Sequence, residues 1–162
     1  DQAAEGGNRY GIIGRGVKEK IFDNIVAVSG TKKEAIRTIS RLCAKQTMLD
    51  ATQLEKAFWK REEWDSTGCG EGIAIPHAII KEIDEVQLFI VRFRYPIEWE
   101  SFDDKKVDIA FAIIAPEEKG QEKYLVFLSR LARKLVDEKF IADFRNCRST
   151  EAVYQYVKNE LE

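Results

Sequence analysis

The stretch Arg61–Ala78, REEWDSTGCGEGIAIPHA, runs from an arginine through two hydroxyls and three glycines to the only histidine of the chain. Gly68, Gly70 and Gly72 let the backbone turn tightly and bring its N–H groups close to a ligand. A lone histidine among aliphatic residues commonly packs, needing only one partner for each ring nitrogen. Here His77 follows a proline and stands behind Ser66, Thr67 and the glycines, a segment suited to receiving an anion.

Several chemistries do not fit this stretch. GCGEG lies ahead of a strand, whereas a dinucleotide fingerprint needs its glycines opening a helix. No GxxxxGK[ST] cradle occurs, and WDSTG is not the strand-to-helix elbow of a serine hydrolase. One histidine without clustered carboxylates makes a weak metal site, so neither metal nor cofactor is expected. The remaining reactive group is the histidine itself. Neutral imidazole, with an unperturbed pKa of about 6.5, is a nucleophile at pH 7 and can hold a phosphoryl group reversibly. Phosphoryl transfer demands placement and charge neutralisation more than acid-base machinery. Arg61, Ser66, Thr67 and the glycine segment supply that equipment.

Outward from this stretch, the pattern alternates strands and helices. IVAVSG, Ile25–Gly30, reads as an early strand ending at a turn. Thr31 and Glu34 form a capping-box pattern ahead of Ala35, Ile36, Ile39, Leu42 and Cys43, one apolar helical face. Asp50 and Gln53 open a second helix with Leu54, Ala57 and Phe58 inward, and Arg61, seven residues beyond Leu54, at the edge of that stripe. Strands are expected at Gly72–Ile75, Val86–Phe93 and Val107–Ile114, the second edge-ward and the third central, because the second alternates partially and the third is nearly all apolar. Leu125, Leu128, Leu131, Ala132 and Leu135 make a helical stripe, Phe140 and Phe144 a shorter one, and Ser149 caps a last helix carrying Val153, Tyr156 and Val157. An α/β fold with helices on both sheet faces follows.

The chain has 162 residues, of which 33% are charged, with a net charge of −2. That length suits one domain with its own core. The charge balance leaves no basic field for nucleic acid and no polybasic stretch for anionic membranes. Its apolar runs, such as Ile109–Ile114, are far below the ~20 residues of a membrane span, and no signal peptide opens the chain, so a cytoplasmic protein without direct membrane contact is expected. Cys43, Cys69 and Cys147 are odd in number and never in a CxxC pair, reading as reduced thiols. Residues 1–20 lack periodicity and read as a flexible tail or the cut edge of a larger chain, leaving 21–162 as the domain.

REEWDSTGCGEGIAIPHA resembles the signature of enzyme IIA domains of the bacterial phosphoenolpyruvate-dependent sugar phosphotransferase system, in the mannitol, fructose and nitrogen-regulatory class. The likeness extends from about Ile25 to the C-terminus and includes VDIAFAIIAPEEKGQ and LSRLARKLVD. It implies an α/β/α sandwich, a single domain with a mixed central sheet of about five strands. It also implies that His77 takes a phosphoryl group on Nε2 from phosphorylated HPr and passes it to a cysteine of an enzyme IIB partner during sugar uptake. Arg61, Ser66 and Thr67 match the family's arginine and hydroxyls. Where the family carries a second histidine, this chain has Tyr124, which shares the inward helical face with Leu128, Leu131 and Leu135, while Lys123 is turned about 100° away. Asp65, Cys69, Glu71 and Ile79 also depart from the family's usual residues. A regulatory module of the same fold, whose phosphorylation state controls binding to other proteins, is the alternative. A more distant one is an interaction domain that never turns over.

Overall fold

Val107–Pro116 is buried at nine of its ten positions and forms β7, and a strand so apolar has to lie between two layers. The protein is seen in a computed structural model that describes residues 10–13 and 17–161. Among these residues, the strands are β1 (Tyr10–Ile13), β2 (Val17–Ile25), β3 (Gly68–Gly70), β4 (Ile73–Ala74), β5 (His77–Ile80), β6 (Gln87–Ile97) and β7. Five helices accompany them: α1 (Lys32–Thr47), α2 (Ala51–Trp64), α3 (Gln121–Leu135), α4 (Glu138–Arg145) and α5 (Thr150–Leu161).

The sheet runs β1-β2-β6-β7-β4-β3, and β5 also pairs with β7. It is mixed. β6 lies parallel to β2 and antiparallel to β7, with Ile90 opposite Phe111. β4 and β5 run parallel to β7 in succession, Ile73 opposite Ile109 and His77 opposite Ile113. They share one position in the sheet, interrupted at Ile75–Pro76, so seven strands fill six positions where about five were expected.

One core packs α1 and α2, through Ile36, Ile39, Leu54 and Phe58, against Phe89, Val91, Ala110 and Ala112. The other packs α3, α4 and α5, through Leu131, Phe144, Val153 and Val157, against Ile90, Phe111 and Ile113. Two helical layers around the sheet make the α/β/α sandwich. Phe111 and Phe144, with ring centroids 5.3 Å apart, join sheet to helix, and burying each such side chain contributes about 1.5–3 kcal/mol.

The helix starts follow their caps. Thr31 Oγ1 accepts the Glu34 N–H at 3.2 Å, Asp50 Oδ2 the Gln53 N–H at 2.9 Å, and Ser149 Oγ the Ala152 N–H at 3.1 Å. Three local expectations are corrected. Ile25 is the last residue of β2, and Val28–Gly30 is a 3-10 turn with Ser29 at φ 66°, because a run of two valines and an alanine has no partner strand at that place. β6 is interior, since β2 adds to the side taken as the edge. On α3 the buried face runs through Tyr124, Phe127, Leu131 and Leu135, while Leu125 and Ala132 face solvent. The sheet also reaches back before residue 21: β2 begins at Val17 and pairs with β1, Tyr10 opposite Lys20.

Candidate functional site

α2 delivers Leu54, Phe58 and Glu62 to the core, each four residues after the last. Arg61, one position off this line, is half-buried at its rim. Its Nη1 donates to the carbonyl of Asp65 at 2.5 Å and its guanidinium lies 5.4 Å from the centre of the exposed Trp64 ring. A cation over the last carbonyls is also favourable for the helix dipole.

After α2 the chain makes the β3–β4 hairpin, whose turn holds Gly70, Glu71 and Gly72 at φ 85°, 56° and 80°. It then enters β5 at His77. Alternation sends Ala78 and Ile80 into the core under α1 and α2 and turns the His77 ring toward the opposite face. There the buried Tyr124, in the first turn of α3, places its ring 6.3 Å from the imidazole, centre to centre, with 53° between the planes.

The half-buried His77 ring is tethered at one nitrogen. Nδ1 lies 2.9 Å from the carbonyl oxygen of Ile75. A carbonyl only accepts, so Nδ1 carries the proton and Nε2 presents its lone pair. Burial pushes the His77 pKa below its ordinary value; the Ile75 carbonyl opposes this, the Arg61 charge adds to it and the Glu62 charge opposes it. A neutral, nucleophilic imidazole at pH 7 results. Tyr124 is pushed up by burial, with Arg61 pulling the other way, so it keeps its phenolic proton. Arg61 therefore acts electrostatically on both rings.

His77 and Tyr124 come together, with Arg61 acting on them through its charge; Ser66 and Thr67 have other work. Ser66 Oγ donates to the Glu100 carbonyl at 2.6 Å and accepts from the Gly68 N–H at 3.2 Å. Thr67 Oγ1 donates to Glu62 Oε1 at 2.6 Å. A hydroxyl has one proton to give, so neither donates to an incoming anion while these bonds stand. Within the glycine segment the Glu71 N–H is likewise taken, by Asp103 Oδ2 at 2.8 Å. Cys69 is no nucleophile: burial, then the Glu62 charge, raise its pKa to about 11. Among the described residues no three His, Cys, Asp or Glu side chains are grouped to hold a metal ion, and no helix is long and apolar enough to cross a membrane.

Sequence reasoning missed Glu62. The signal was present, because Phe58 plus four puts it on the buried stripe, yet that stripe was carried on to Arg61 and Glu62 was given no role. Its carboxylate accepts from Thr67 N–H and Lys32 Nζ, each at 2.8 Å, and from Trp99 Nε1 at 3.2 Å, besides the Thr67 hydroxyl.

Residues 18–160 match the family described as phosphoenolpyruvate-dependent sugar phosphotransferase system, EIIA 2. The chain is 36% identical over 129 residues to the nitrogen regulatory protein of Escherichia coli (strain K12), covering 78% of each. Among solved structures it resembles nitrogen regulatory protein IIA-Ntr from Neisseria meningitidis, with a TM-score of 0.74 and 27% identity over 85% of this chain and 91% of that one. It shares its fold, at a TM-score of 0.63 and 20% identity, with a complex of enzyme IIAMTL and phosphorylated enzyme IIBMTL from Escherichia coli, covering 85% of this chain and 94% of that one.

Proposed function

The chain belongs to the phosphoenolpyruvate-dependent sugar phosphotransferase system EIIA 2 family, and from that premise we propose that His77 accepts a phosphoryl group from phosphorylated HPr and that a protein partner reads its phosphorylation state. The observation that carries this is the bond from Nδ1 to the Ile75 carbonyl, which leaves Nε2 free to attack.

Nε2 uses its lone pair to form the new N–P bond as the donor's N–P bond breaks. The donor ring, protonated on its other nitrogen, leaves as neutral imidazole. The His77 ring then carries phosphate on Nε2 and a proton on Nδ1, a cation whose bond to the Ile75 carbonyl is stronger than before transfer. Arg61 supplies positive charge for the three phosphoryl oxygens. Tyr124, a buried neutral donor beside the ring, takes the place that a second histidine would fill.

The regulatory output is supported by the names of the relatives at 36% and 27% identity, both nitrogen regulatory proteins. Onward transfer to an enzyme IIB cysteine during sugar uptake is the second reading, favoured by the shared fold of the mannitol enzyme, which is known bound to phosphorylated enzyme IIB.

The test mixes the chain with phosphoenolpyruvate, enzyme I and HPr. Intact mass is expected to rise by one phosphate, labile in acid and absent in His77→Ala. A phosphate that survives acid, or one retained by His77→Ala, refutes the assignment. Adding candidate enzyme IIB domains to the phosphorylated chain separates the outputs, since rapid onward transfer favours transport.

A further inference from the structure

Glu62 is the deepest carboxylate of α2, its side chain 1% exposed, and such burial is costly unless the lone pairs are satisfied. Four donors satisfy it: the Thr67 hydroxyl on Oε1, and the Thr67 N–H, Lys32 Nζ and Trp99 Nε1 on Oε2. Lys32 is itself held, 2.8 Å from Glu100 Oε1 and with its ammonium 5.2 Å from the centre of the Trp99 ring. An apolar side chain following Leu54 and Phe58 would fill this place with no charge to bury, and such replacements are often neutral or stabilising. What a carboxylate does that leucine cannot is grip the Thr67 peptide by both its N–H and its side chain.

That grip continues to the histidine. The Thr67 carbonyl accepts from the Ile75 N–H at 2.9 Å, and the Ile75 carbonyl accepts from His77 Nδ1 at 2.9 Å. Between them Pro76 has a fixed φ, and its own carbonyl accepts from the Ile113 N–H of β7 at 2.9 Å. Three hydrogen bonds in series thus connect the Glu62 carboxylate with the imidazole.

We propose that Glu62 is a positioning residue for His77, anchoring through Thr67 and Ile75 the carbonyl that holds Nδ1–H, so that Nε2 is the nitrogen presented to a phosphoryl donor. This rests on the reading of His77 as the acceptor. Lys32 and Trp99 keep the carboxylate oriented; Thr67 transmits its position.

The experiment compares the wild-type chain with Glu62→Gln, which sets an amide NH2 against donors that need acceptors. The imidazole tautomer is read by 15N chemical shifts of labelled histidine, and phosphorylation by single-turnover transfer from phosphorylated HPr. In the wild type the Nδ1–H tautomer is expected to dominate. In Glu62→Gln the Nε2–H population is expected to rise at least fivefold, and the rate at saturating donor to fall about tenfold with half-saturation unchanged. Loss of unfolding midpoint alone, with tautomer and rate intact in the folded protein, overturns the proposal. If Glu62→Gln does not fold, Thr67→Val decides: a smaller tautomer shift in the same direction supports it, and an unchanged ratio overturns it. A wild-type chain that never becomes phosphorylated sinks the acceptor reading by itself, because the tautomer ratio still tests Glu62.

Discussion

Gly68→Ala is expected to destabilise the protein more than Gly70→Ala, although Gly70 has the conformation that alanine dislikes. A Cβ at Gly68 would stand 2.2 Å from the Glu100 carbonyl oxygen and 3.0 Å from Ser101 Cβ. The oxygen belongs to backbone and cannot rotate away, so the segment after Trp99 has to shift by roughly 1 Å, an overpacking cost of about 1–3 kcal/mol. That shift also strains the 2.6 Å bond from Ser66 Oγ to the same oxygen, worth about 1 kcal/mol. Lower chain entropy in the unfolded state returns about 0.4–1 kcal/mol, leaving a loss of roughly 1–3.6 kcal/mol. At Gly70 the Cβ would meet Phe102 Cε1 at 2.5 Å, but that ring is 83% exposed and free to swing out. What remains is the left-handed conformation at φ 85°, about 1–2 kcal/mol for alanine, less the same entropy gain. Urea unfolding at pH 7, followed by circular dichroism with linear extrapolation, gives both values. A Gly68→Ala loss below about 0.5 kcal/mol, or one smaller than that of Gly70→Ala, would refute the reasoning.

Two further outcomes concern the site. Tyr124→Phe is expected to slow phosphorylation of His77 about tenfold, the effect of one lost hydrogen bond of ~1.4 kcal/mol, while Lys123→Ala, on the exposed side of α3, does less; single-turnover rates from phosphorylated HPr check it, and the reverse order would transfer the role to Lys123. Because burial and Arg61 lower the His77 pKa, the phosphorylation rate is expected to hold as pH falls to 6.5 and to drop only below it, and an inflection above 6.5 contradicts the buried, neutral ring. The linked stability has the same sign: the unfolded chain binds the proton first, so the His77 contribution is complete above pH 6.5 and is lost as pH falls through the lower folded value, measurable as wild type against His77→Ala.

The amino-acid sequence by itself determined what depends on neighbours a few residues apart. Helices begin where Thr31, Asp50 and Ser149 reach an N–H three residues on, and β7 is legible because an apolar run of that length belongs inside. The tight stretch that holds His77 and Arg61 was legible, as was the inward face of Tyr124, whereas the expected turn of Ser66 and Thr67 toward His77 was not what the fold made of them. Only the tertiary structure decided what depends on distant chain. β2 carries buried Glu19 and Lys20, which fall in the stretch read as a tail, and it is a strand only because β6, nearly 70 residues later, pairs beside it. Lys32 and Trp99 lie 30 and 37 residues from the carboxylate they hold. A hydroxyl rotates to whichever acceptor the fold brings near it, and that choice took Ser66 to Glu100 and Thr67 to Glu62. Local periodicity says which face a side chain occupies; its partner there is set by packing between elements that sequence spacing does not relate.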